Sequence, residues 1–158
     1  RLHPDSGTVS TEGPAQRTIL ECKRARANAE LARTLGLQSG DAVMQVRRLL
    51  TLGGTPTIFE DIWLPAQLFK GLNADMLTTH QGPTYALFEK EFGVRTIRAE
   101  EQVRAVLPDA AQAELLEVTP HTPLLQVDRV SYTYNDAPVE VRKGLYRTDT
   151  HYYKNTLS

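Results

Sequence analysis

Two short stretches of this chain put charge where a folded protein would rather place hydrocarbon. Between Ala42 and Leu52 the alternate residues Met44, Val46, Leu50 and Leu52 are apolar, and Arg48 falls among them. Between Pro56 and Leu64 the same happens to Glu60, which shares a face with Pro56, Ile58, Ile62 and Leu64. Read with the period of two of an extended strand, each charged side chain points to the core side of a sheet. An unpaired buried charge is expensive, so two chemistries are open. Arg48 and Glu60 neutralise one another as a buried ion pair, or they line a cavity in which Arg48 recognises an anionic group. A third stretch, Pro138 to Tyr153, puts Glu140, Arg142 and Tyr146 on one face and Val139, Val141 and Leu145 on the other. That face is either a solvated exterior or a further wall, with Glu140 joining Glu60 in accepting hydrogen bonds from hydroxyl or amino groups.

Other chemistry finds little support. His3, His80, His121 and His151 have no metal-ligand spacing among themselves or with Cys22. There is no nucleophile elbow and no phosphate-binding loop, and Gly53-Gly54 reads more simply as a hairpin turn. Glu60 and Glu140 form an acid/base pair only on paper, since two carboxylates without a further signature are a weak signal. No catalytic residue, metal or cofactor is assigned.

The chain has 158 residues, 41% hydrophobic and 23% charged, which fits one globular domain. Eighteen basic residues against nineteen acidic ones leave a net charge of -1, so bulk attraction to DNA or to an anionic membrane is excluded. A lone Cys22 and the lack of a membrane-length apolar run suggest a reducing, cytoplasmic setting. The chain starts at Arg1 with neither methionine nor leader, and reads as a piece of something longer.

The elements that position the charged residues follow in order. Residues 1–17 carry Pro4, Gly7, Gly13 and Pro14 among Ser and Thr, and read as a linker or disordered lead-in. From Thr18, a short strand through Ile19, Leu20 and Cys22 leads to a helix from Ala29 to Leu35, closed by Gly36. The strand Ala42 to Leu52, the Gly53-Gly54 turn and the strand Pro56 to Leu64 make a hairpin. Pro65 to Leu68 reads as a short helix, residues 71–82 as a loop, and Pro83 to Phe92 as a central helix stopped by Gly93. Asp109 with Gln112 three residues on is a capping-box start for a helix ending at Leu116. Sliding the chain on itself by about 81 residues sets Val43 on Leu124, Gln45 on Gln126, Val46 on Val127 and Arg48 on Arg129; with one residue of slippage in the turn, Pro56 falls on Pro138. Each half then reads strand, helix, strand, hairpin, strand. The expectation is an α+β fold: a mostly antiparallel six-stranded sheet built from two similar halves, with the helices collected to one side.

Several of these segments resemble a known family. Val46 to Leu72, with Val-Arg-Arg-Leu-Leu-Thr-Leu-Gly-Gly-Thr-Pro and later Leu-Pro-Ala-Gln-Leu-Phe-Lys-Gly-Leu, is similar to the first hairpin of the UTRA domain. So are Gly-Pro-Thr-Tyr-Ala-Leu-Phe-Glu and Pro-Val-Glu-Val-Arg-Lys-Gly-Leu-Tyr-Arg-Thr-Asp. UTRA is the effector-binding domain of the HutC subfamily of GntR-type bacterial transcriptional regulators, and the resemblance runs from Arg17 to Tyr153. It implies a chorismate-lyase-like domain over residues 18–158 that binds a small metabolite, forms a homodimer, and meets operator DNA only through a winged helix-turn-helix domain that would precede it. It further implies ligand-binding roles for Arg48, Glu60, Tyr85, Glu140 and Tyr146. Leu50 stands where relatives carry a second arginine, and Pro83, with Thr84 beside it, where they carry a small hydroxyl residue. Both departures weigh against a sugar phosphate and toward a small carboxylate, polyol or amino compound. The same fold also leaves open a chorismate-lyase-like enzyme, or a ligand-free dimerisation module.

Overall fold

The computed structural model describes residues 2–5 and 16–157. Most of the expected linker, residues 6–15, lies outside the described residues. Ahead of it, strand β1 (Leu2–Pro4) pairs antiparallel with strand β8 (His151–Tyr153) near the other end of the chain. The next strand, β2 (Gln16–Arg26), starts two residues earlier than Thr18 and runs well past Cys22.

Helix α1 (Ala29–Leu35) begins where the Asn28 side chain accepts the Leu31 N–H at 2.8 Å, and ends at Gly36, whose φ of +67° suits a residue without Cβ. Strands β3 (Ala42–Leu52) and β4 (Thr55–Pro65) form the hairpin around Gly53-Gly54. A 3-10 turn over Ala66–Leu68 follows Pro65. Helix α2 (Ala74–Thr79) then occupies the segment read as loop, held by an Asn73 cap that accepts the Met76 N–H at 2.9 Å. Helix α3 (Thr84–Phe92) is the central helix, with Pro83 before it and Gly93 after it. Strand β5 (Arg98–Val106), helix α4 (Ala110–Leu116), strand β6 (Leu124–Tyr132) and strand β7 (Pro138–Arg147) complete the order. The Asp109–Gln112 capping box closes in both directions, at 2.8 and 2.9 Å.

The sheet runs β2-β3-β4-β7-β6-β5 with every pairing antiparallel. That order is a palindrome of the two halves: β2-α1-β3-β4 and β5-α4-β6-β7 meet at the β4–β7 seam. The irregularities repeat as well. The β3–β4 register slips between Leu50 and Thr51, and the β6–β7 register slips between Ser131 and Tyr132, 81 positions later. The slips leave Thr57 and Val139 without opposite numbers, and these are matching positions of the two halves, so the one residue of slippage seen in the sequence lies in the longer turn between β6 and β7.

The helices cover both faces, which corrects the one-sided expectation. On the Arg48 face, Val46, Ile62 and Leu64 pack with Leu77 of α2 and with Leu87 and Phe88 of α3. On the opposite face, Val43 packs with Ala32 and Leu35 of α1, and Phe59, Leu124 and Leu145 pack with Leu116 of α4. The central strands alternate between two apolar sets, so hydrocarbon on the second face had to be covered too. The result is an α+β fold in which β3, β4 and β7 have packing on both sides.

Candidate functional site

Register brings the charged residues together. Arg48 on β3 stands opposite Glu60 on β4, Glu60 stands opposite Gly144 on β7, and Arg142, one pleat along, stands opposite Arg129 on β6. All of them point to the face covered by α2 and α3. Arg48 and Glu60 are buried, at 4% and 3% exposure, and joined by an Arg48 Nε to Glu60 Oε1 bond of 2.8 Å. The Arg48 Nη1 donates to the Thr84 hydroxyl at 2.6 Å, which ties the sheet to the first residue of α3. Arg142 reaches both carboxylates of the seam, donating to Glu60 Oε2 at 3.3 Å and to Glu140 Oε2 at 2.9 Å. Ser131 donates to the other oxygen of Glu140 at 3.2 Å.

Two further groups border this network. Arg129 donates to Glu101 at 2.8 Å, and Glu101 also accepts the Tyr153 hydroxyl at 2.7 Å. The Tyr153 ring meets the edge of the Tyr146 ring at 5.7 Å, so β8 caps this end of the sheet face. On the other side, Arg17 donates to the carbonyls of His80 and Gly82, just ahead of α3. Gly144 is what lets Tyr146 lie down: a Cβ at that position would sit 2.6 Å from the Tyr146 ring.

The electrostatics are those of a crowded, cation-rich site. Burial pushes the Glu60 carboxyl up, but Arg142 and then Arg48 outweigh it and hold the group below its ordinary value. Burial, with Glu60 beside it, raises the Tyr146 phenol well above the usual range and keeps it a neutral hydrogen-bond donor. Four guanidiniums (Arg17, Arg48, Arg129, Arg142) stand against three carboxylates (Glu60, Glu101, Glu140), an excess of one positive charge. The Arg142 Nε is buried without an acceptor among the described residues.

Of the residues singled out in the sequence, Arg48, Glu60, Thr84, Glu140 and Tyr146 are gathered on one face of the sheet. Tyr85 is not among them: it follows Thr84 on α3 but is 62% exposed. The network also holds residues that the strand-face reading did not single out: Arg17, Glu101, Arg129, Ser131, Gly144 and Tyr153. The internal repeat carried a signal for one of these, since it sets Arg129 on Arg48. Arg17 had none, because its partners are backbone carbonyls. Among the described residues no group of His, Cys, Asp and Glu could hold a metal ion, and no helix is long and apolar enough to cross a membrane.

A six-stranded sheet made of two similar halves, with helices on both faces, has counterparts in known proteins. Residues 14–152 match the UTRA domain model, and the chain belongs to that family. The structure is similar to one described as the ligand-binding domain of a GntR-family transcriptional regulator from Bordetella bronchiseptica, with a TM-score of 0.93 and 50% identity over 100% of this chain and 96% of that one. It is also similar to PhnF from Mycobacterium smegmatis, with a TM-score of 0.82 and 32% identity over 91% of this chain and 63% of that one. In sequence it is 34% identical over 135 residues to the HTH-type transcriptional repressor PhnF of Mycolicibacterium smegmatis, covering 85% of this chain and 54% of that protein. The HTH-type transcriptional regulator Rv0792c of Mycobacterium tuberculosis is 30% identical over 146 residues, with 88% and 51% covered. The chain therefore spans about half the length of the curated relatives it matches.

Proposed function

We propose that this domain senses a small anionic metabolite on behalf of a bacterial GntR-type transcriptional regulator of the HutC subfamily, most often a repressor. The observation that carries the reading is the charge balance on the α2/α3 face: four guanidiniums against three carboxylates, with Arg142 Nε left without an acceptor. An anion entering there completes the balance. Arg48 recognises its charged group, Thr84 orients it at the start of α3, Glu60 and Glu140 accept from hydroxyl or amino groups, and Tyr146 donates as a neutral phenol. Tyr85 acts only if α3 turns inward on ligand binding.

The effector binds one arrangement of a homodimer better than another, and this repositions DNA-binding heads that meet the operator. A coupling of about 1–3 kcal/mol changes operator affinity roughly 5- to 150-fold. The domain carries no catalysis, and the regulator works in the cytoplasm.

A thermal-shift screen against sugar acids, sugar phosphates, amino acids and small carboxylates tests this. A ligand at about 100 times its Kd adds about 2.7 kcal/mol of stability. The hit is recovered unchanged, and Arg48→Ala weakens it by about 2 kcal/mol or more. Turnover of chorismate or a related enol ether would favour the enzyme. Silence across the panel would favour a module in which Arg48 and Glu60 are only an ion pair.

A further inference from the structure

We infer that a second copy of this chain docks along the outer strand β5, antiparallel to it and about a two-fold axis at Gln102. This rests on the homodimer reading above and names the surface that performs it. β5 ends the sheet, and its side away from β6 has no strand partner among the described residues. A nine-residue strand presented in this way is a template for another. Its surroundings are unusually apolar for a solvent edge: Ile97, Val103 and Leu107 are 51%, 51% and 61% exposed.

The residue order is self-complementary about Gln102. With Gln102 opposite its own copy, Glu100 faces Arg104, Ile97 faces Leu107, Ala99 faces Ala105 and Arg98 faces Val106, and the symmetry supplies each contact twice. The Glu100 side chain is 63% exposed, and Arg104 is exposed with no polar partner among the described residues. Neighbouring registers are worse. An axis at Glu101 sets Glu101 against Glu101 and Arg98 against Arg104, while an axis at Val103 loses both ion pairs and both Ile97–Leu107 contacts. The other edge of the sheet is unsuited to self-pairing: β2 carries Arg17, Lys23, Arg24 and Arg26 against Glu21 alone.

Sedimentation equilibrium of the chain, with site-directed cross-linking, tests the surface. In a Cys22→Ser background, Gln102→Cys forms a disulfide-linked dimer on mild oxidation, and Arg24→Cys on β2 does not. Glu100→Arg alone, or Arg104→Glu alone, raises the dimer Kd about tenfold by setting like charges in register twice. The two together restore it, which also shows that neither change acts through misfolding. A wild-type chain that sediments as a monomer at micromolar concentration overturns this surface and the homodimer reading with it. A wild-type dimer that does not cross-link at residue 102 and ignores both charge reversals overturns the surface alone.

Discussion

The two halves of the sheet share a backbone plan and differ in charge. At matching positions the first half sets Arg48 opposite Glu60, and the second sets Arg129 opposite Arg142. The first pair is neutral and dry. The second is two cations in cross-strand register, an arrangement that repels unless anions are supplied from elsewhere. They come from Glu101, Glu140 and the first half's own Glu60, which gives Oε1 to Arg48 and Oε2 to Arg142. A duplicated scaffold thus carries an asymmetric charge set, and one carboxylate stitches the halves together across the seam.

Glu60→Ala is the strongest way to break that account. It strands two buried guanidiniums, so urea unfolding should show a loss of about 3–5 kcal/mol. A loss no larger than that of an ordinary surface change would mean that the halves are not joined through this group. The same residue sets an acid limb. Its folded-state pKa lies below the ordinary 4.5, so its contribution is present above that pH and is lost as pH falls through the folded value. Urea midpoints taken from about pH 6 down to pH 3 should fall more steeply for the wild type than for Glu60→Gln.

Gly144→Ala sharpens the comparison on the second half alone. The new methyl group meets the Tyr146 ring and should cost about 1–3 kcal/mol, with a change in tyrosine near-UV dichroism. Arg129→Gln should have the smallest effect, below about 1 kcal/mol, because it loses a half-exposed bridge to Glu101 while relieving Arg142. A large loss there would show that the second half needs both cations for its own stability.

Much of this was legible in the chain before any coordinates. β3 and α1 have the bounds that their apolar spacing and caps announce, and Asp109 with Gln112 marks the start of α4. α2 was not legible: its six residues, Ala-Asp-Met-Leu-Thr-Thr, bury little beyond Leu77, and only Asn73 marks its start. The helices on the second face are not legible from the Arg48 and Glu60 alternation, which marks only one side of the sheet as core. Phe59, Leu124 and Leu145 supply an equally apolar opposite face. At the site, alternation placed Glu140, Arg142 and Tyr146 together, but nothing local reveals that Ser131 or Glu101 would meet them from other strands.

Arg17 sits at the start of β2 and holds the carbonyls of His80 and Gly82, while Arg48 holds Thr84, two residues after Gly82. The first turn of α3 is therefore pinned from two adjacent strands, one interior and one at the sheet's margin. A shift at the start of β2 would reach the opening of α3 through the Arg17 side chain, and also through Ile19 and Cys22, which pack against the core beneath that helix. Arg17 is thus a tie bar between the margin of the sheet and the segment that opens α3.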